Sequence, residues 1–293
     1  MRVSPFISRS FVTYQQIPFI MKYSVYLLAA ATLFFASCGD EAAEQDDDAV
    51  MKPAPIEMTE VQGSPEFEGA EISMGDVTTA PEGDMVNVTF NFNVKNYELM
   101  NQTDDAATKM CANSDKGQHI HFIMDNEPYA ALYEPTHSVS LEKNSEHYLL
   151  AFLSRSYHES IKSPGAALLY HFKVDENGKV EKLEDPTSPM VFYSRPKGDY
   201  VGEDNTANLL FDFYTWNTEM GNNTNHVLAH IKGEGVDTTM VVTDWKAYFL
   251  HHMPMGKPSI TLTLVDKDGN KLDGPMTEVT REFNLSLGEP LEH

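Results

Sequence analysis

Cysteine is almost missing: Cys38 and Cys111 are the only two in 293 residues. Neither a disulfide framework nor a four-thiolate zinc site can be built from them. Basic residues are scarce as well, 21 Lys and Arg against 44 Asp and Glu, for a formal net charge of −23. A chain this acidic lacks the basic footprint that releases counterions from a polyanion, so nucleic acid is excluded as a partner. Long hydrophobic runs are absent too. The apolar stretch 25–35 is about half of the roughly 20 residues that a spanning helix needs. The sequence contains no G-x-S-x-G elbow, no phosphate-cradling glycine loop and no H-E-x-x-H, since His158-Glu159 lacks the second histidine. Catalysis is therefore not expected.

What is present begins with an address. Lys22 leads into the apolar stretch, which ends in Ala36-Ser37-Cys38. This is an export signal over residues 1–37, with Met21 the better start, and small residues directly before a cysteine resemble a bacterial lipobox. Cleavage before Cys38 would free it for acylation. It would remove three of the 21 basic residues (Arg2, Arg9 and Lys22) and no acid, leaving a net charge of −26. Residues 38–59 open with CGDEAAEQDDD, a self-repelling tether. An acidic run behind the lipid cysteine resembles the surface-export signal of Bacteroidetes-type lipoproteins, and Gly39 beside it fits transfer to an outer membrane. The expected place is the outer membrane, periplasmic or surface-exposed, with the lipid as the membrane contact.

From about residue 63 the hydrophobic period is two. Val86, Val88, Phe90, Phe92 and Val94 alternate with Asn87, Thr89, Asn91 and Asn93, as a half-buried strand does. HIHFIM (119–124), HYLLAFL (147–153) and the stretch around Leu168, Tyr170, Phe172 and Val174 repeat the pattern. A second copy follows: FNFNVKNYEL (90–99) aligns with FDFYTWNTEM (211–220), and SEHYLLAFL (145–153) with PSITLTLVD (258–266). The offsets are near the roughly 100 residues of one immunoglobulin-type sandwich. The expectation is an all-β chain with two tandem immunoglobulin-like antiparallel β-sandwiches, residues 60–175 and 190–288, joined by a linker at 176–189. DKDGNKLDG (266–274) begins like a calcium loop, but Lys271 and Thr277 stand where a glycine and a bidentate glutamate are needed. Asp-Gly there marks a hairpin turn instead.

The densest polar cluster falls in the first sandwich. His119 and His121 are two apart and leave a strand by one face. If the strand led by His147 pairs with HIHFIM, a third imidazole comes near. The loop SRSYHESIKSPG adds Arg155, Tyr157, His158, Glu159 and Lys162. These donors suit an anionic group such as a phosphate or carboxylate. A metal is the alternative: His119, His121 and His147 form a reasonable copper or zinc triad, with Cys111 a thiolate in reach if its loop folds back. HHMPM (251–255) is a soft imidazole and thioether set, read mainly as a turn whose methionines fill packing gaps.

The segments GQHIHFIMDNEPYAALYEP and EHYLLAFLSRSYHESIKSPGA resemble a family of secreted bacterial lipoproteins of undetermined function, often called phosphopeptide-binding proteins. The likeness runs over most of residues 60–288 and is strongest over 117–174. It implies binding of an anionic peptide or small ligand, without a cofactor. The residues on its best-matched segment are His119, His121, Asp125, Tyr129, Arg155, His158 and Lys162.

Overall fold

The apolar and polar alternation produces strands throughout a computed structural model of the chain, which describes residues 54–288. The export signal, Cys38 and the acidic run behind it lie outside the described residues. In chain order the strands begin with β1 (Glu57–Glu60), β2 (Glu71–Glu82), β3 (Met85–Lys95), β4 (His119–Met124), β5 (Ala130–Leu132) and β6 (Thr136–Glu142). They continue with β7 (Ser145–Ser154), β8 (Ala167–Val174), β9 (Val180–Lys182), β10 (Met190–Arg195), β11 (Gly198–Val201) and β12 (Leu209–Trp216). The last five are β13 (His226–Gly233), β14 (Val236–Val242), β15 (Tyr248–His251), β16 (Ser259–Val265) and β17 (Glu278–Ser286). Among the described residues no helix is long and apolar enough to cross a membrane.

Four sheets form two immunoglobulin-like β-sandwiches. The first pairs a sheet of order β2-β3-β6 with one of order β5-β4-β7-β8-β9. The second pairs β1-β15-β12-β10 with β11-β17-β16-β13-β14. Setting the two side by side exposes the duplication. Order β5-β4-β7-β8 in one matches β14-β13-β16-β17 in the other, and β2-β3-β6 matches β10-β12-β15. The aligned segments at 90–99 and 211–220 start on β3 and β12, the central strands of the smaller sheets. Among the described residues the strands pair antiparallel except β11 with β17, which run parallel.

Each sandwich has its own core, as two inner faces packed together require. Val86, Val88, Phe90, Phe122, Leu149 and Phe172 fill the first, and Val191, Phe211, Phe213, Leu262 and Phe283 fill the second. A third cluster, with Ile123, Tyr129, Leu150 and Phe152 from one sandwich and Met190, Phe192 and Tyr214 from the other, fills the seam between them. The strand HIHFIM is therefore wetted on neither side. Ile120 and Phe122 enter the first core, while His119, His121 and Ile123 face the seam.

Two boundaries read from the sequence move. Residues 176–189 are not a plain linker, because a turn at 175–179 leads into β9, which pairs back onto β8 and extends the first sandwich. Nor do residues 57–59 belong to the tether. As β1 they pair with β15 at the edge of the second sandwich, so the chain visits the second sandwich before it builds the first.

Candidate functional site

Parity decides which residues can meet. On an antiparallel pair, directly opposed residues share a face. His119 opposes Ser154 and His121 opposes Phe152, so the even-numbered residues of β7 face the seam with the two histidines. His147 is odd. It turns to the opposite face, where its ring lies 5.4 Å from Phe172. It also lies beyond the Met124–Leu149 pair, at the far end of the strand. The expected His119/His121/His147 triad is therefore not formed.

His147 closes a hairpin instead. Its Nδ1 is 2.6 Å from Asp125 Oδ2 and its Nε2 is 2.6 Å from Ser145 Oγ. Asp125 also accepts the Tyr148 backbone N–H at 2.8 Å. The Ser145 hydroxyl donates to the Glu142 carbonyl, so this Asp–His–Ser chain pins the β6–β7 turn and offers no free nucleophile.

The third imidazole comes from His158. Its turn is closed by bonds from the Arg155 N–H to the Glu159 carbonyl and from the His158 N–H to the Arg155 carbonyl, both 2.9 Å. His158 itself has φ +70, a left-handed conformation that histidine adopts more readily than most residues. This throws the ring over the end of β4. His158 Nδ1 then lies 3.0 Å from His119 Nε2, and His119 Nε2 lies 3.0 Å from His121 Nε2. One ligand nitrogen from each of the three histidines falls within 4.8 Å of the other two.

The proton positions follow from the partners. His119 Nδ1 is 2.8 Å from the Gly117 carbonyl oxygen, so it carries the hydrogen and Nε2 presents a lone pair. That lone pair can accept one N–H, yet two ring nitrogens stand 3.0 Å from it. One of these contacts is left with no proton to hold it, and a cation among the three nitrogens would bind all of them. Metal–nitrogen bonds of about 2.0–2.1 Å at tetrahedral angles place ligand nitrogens roughly 3.3 Å apart. The His119–His121 and His119–His158 spacings of 3.0 Å are within a few tenths of an ångström of that, and the third pair lies within 4.8 Å.

Burial favours the same protonation state. His119 and His121 are fully buried. Desolvation pushes His119 down to about 4 and holds His121 and His158 well below the usual imidazole range, with the Arg195 charge acting the same way on all three. Three neutral imidazoles therefore converge.

The second sandwich supplies the rest of the wall, and none of it was picked out by sequence reasoning. A bulge between Tyr193 and Arg195 re-aims the end of β10. Ser194 Oγ comes 3.1 Å from His121 Nδ1. Arg195 is buried, donates to Tyr200 Oη at 2.7 Å and leaves its Nε without a partner. Lys197 Nζ donates to the Tyr129 carbonyl at 2.9 Å. Tyr129 stacks on His121 with ring centroids 3.6 Å apart, and its hydroxyl is 3.2 Å from His158 Nδ1. Lys197 and Arg195 also lie 4.3 and 5.3 Å from the Tyr129 ring. The only sequence sign was a strand, MVFYSR, that stays apolar on both faces until it ends in charge.

The loop cations expected to receive an anion are already engaged. Arg155 donates to the Pro65 and Ser160 carbonyls and pairs with Glu159 at 3.5 Å. Lys162 lies 2.6 Å from Asp212 Oδ1 of the second sandwich. Cys111 is not part of the cluster either. It is half-buried, with its thiol pushed up to about 12 by burial, and it does not join the three clustered histidines. In HHMPM, Met253 is core and His251 bonds Thr59 and the Ala207 carbonyl.

Gly117 sets the entry to β4. It has φ +85, and a Cβ there would meet the Asn101 carbonyl oxygen at 2.5 Å. Gly117→Ala should therefore cost at least about 1–3 kcal/mol, the scale of a forced backbone conformation. A urea midpoint unchanged from wild type would show that the 100–118 loop yields freely.

Neither a protein-family model nor a curated protein matches the chain. Among solved structures it is similar to the fibronectin(III)-like modules of Clostridium thermocellum CbhA, with 13% identity and a TM-score of 0.25 over 74% of this chain and 95% of that one. It is also similar to the FN1–FN3 domains of chicken CNTN1, with 11% identity and a TM-score of 0.23 over 75% of this chain and 68% of that one.

Proposed function

We propose that this chain is a lipid-anchored protein of the cell envelope that binds one transition-metal ion on His119, His121 and His158, between its two sandwiches, and catalyses no reaction. The observation that carries the reading is the convergence of three imidazole nitrogens, two contacts at 3.0 Å, at a point where the hydrogen bonds of His119 leave a lone pair facing inward. Imidazole suits copper and zinc, whereas calcium and magnesium want carboxylate and water oxygens. Anchoring through Cys38 is supported by the lipobox-like sequence alone. An anionic ligand fits less well, because Arg155 and Lys162 already have internal partners.

Elemental analysis of the intact protein, purified without an affinity tag, tests the metal. About one equivalent of copper or zinc is expected. His158→Ala should fall below about a tenth of an equivalent, whereas His147→Ala should keep its full load because that ring faces the first core. Equal metal content in wild type and His158→Ala would overturn the assignment.

A further inference from the structure

The character of the wall around the three histidines narrows the metal. Every candidate donor is a neutral nitrogen. The clustered residues are three histidines, with no carboxylate and no thiolate among them. Beside them stands the phenol of Tyr129, stacked on His121 and 3.2 Å from His158 Nδ1. An ion bound here keeps its full charge, because nothing in the donor set neutralises it.

Its neighbours are cations. Arg195 and Lys197 both stand over the Tyr129 ring that stacks on His121. Among the described residues neither forms an ion pair with a carboxylate, although pairs such as Lys162–Asp212 and Arg155–Glu159 occur nearby in the same fold. The Arg195 guanidinium is buried, bonds a neutral phenol and has an unpartnered Nε. Repulsion from these two charges scales with the charge of the bound ion, so a divalent ion meets twice what a monovalent one does. A three-histidine zinc centre also takes a fourth ligand, and the cluster offers none of its own beyond the three imidazoles. A monovalent ion content with three nitrogen donors fits these conditions.

Resting on the three-histidine reading, we infer that the site is selective for copper in its cuprous state, held by His119, His121 and His158, with Arg195 and Lys197 discriminating against divalent ions. The protein takes up the ion already reduced, and no electron transfer is implied.

The test loads the intact protein anaerobically with Cu(I), using bathocuproine disulfonate as the competing chromophore, and in parallel with Zn(II) and Cu(II). We expect one Cu(I) held through a hundredfold excess of Zn(II), with an X-ray absorption spectrum showing nitrogen neighbours and no sulfur. Replacing both cations, Arg195→Gln with Lys197→Gln, should narrow the preference for Cu(I) over Zn(II) at least tenfold while three-nitrogen binding persists. Should that double variant fold poorly, Lys197→Gln alone, half-buried at the rim, should move the ratio in the same direction. Displacement of Cu(I) by Zn(II), or a ratio indifferent to both variants, would overturn the cuprous assignment and leave the three-histidine site standing. Retention of none of the three ions by wild type would overturn the site itself.

Discussion

Replacing Asp212 with alanine should lower the stability of the folded chain by about 3–5 kcal/mol, the usual cost of removing one partner from a buried ion pair. Asp212 lies on β12 and is completely buried, yet the contacts it makes reach across the seam. Lys162 Nζ is 2.6 Å from Oδ1, the Ser160 N–H donates to Oδ2 at 3.0 Å, and the Ser160 hydroxyl donates to Oδ1 at 3.1 Å. Lys162 in turn donates to the Phe213 carbonyl and lies 5.3 Å from the Trp245 ring. Truncating the carboxylate strands a largely buried ammonium and a backbone N–H together. Lys162→Met should cost less, because that side chain is 17% exposed and methionine replaces its packing against the aromatic rings. In a double-mutant cycle the two losses should be strongly non-additive. A urea midpoint for Asp212→Ala within experimental error of wild type would mean that the loop carrying His158 is not fastened to the second sandwich.

Saturating metal should raise the melting temperature of the intact protein by about 8–16 °C. A ligand bound only by the native state, at roughly a thousand times its Kd, adds about 4 kcal/mol. For a fold of this size each kcal/mol moves the midpoint by roughly 2–4 °C. The gain should vanish in His121→Ala and persist in His147→Ala, which separates binding at the seam from adventitious binding on surface histidines. Because the three ligands come from β4 and from the Ser154–Ser160 turn, while Ser194 and Arg195 come from β10, the stabilisation should be felt in both sandwiches. Amide exchange slowed in β4 but not in β10 would contradict that.

The strands were legible because alternation is a local property. Val86, Val88, Phe90 and Phe92 announce a buried face, and the structure buries all four. The same alternation showed that His119 and His121 share a side. What it could not show is what lies opposite that side. The cover is β10, whose Ser194 stands 73 residues beyond His121, and no local pattern in HIHFIM registers its presence. His147 goes elsewhere for a related reason. Strand pairing was foreseeable, but register was not, and a shift of one residue exchanges the two faces of a strand. Even an imidazole one position later, on the seam face in place of Tyr148, would have sat too far along β7 to join the other two. His158 stands out in the sequence only as a polar loop residue. Its role depends on a left-handed backbone angle in a turn, which composition does not specify. Arg195 and Lys197 were invisible as site residues because their relevance arises only once two cores are laid against each other.

The placement of β1 bears on how the fold carries load. A pull applied to the chain ahead of residue 57 would reach residues 57–60 first, and these are bound along β15 by a ladder running from Glu57–His251 to Glu60–Tyr248. Val61 adds a bond to the Ala247 carbonyl. Tension is thus taken up by the half of the molecule that is later in sequence, and the earlier half hangs between two strands of it like an insert. Such a load would act on β1 and β15 before it acted on the seam that holds the three histidines, because of the order in which the chain is threaded.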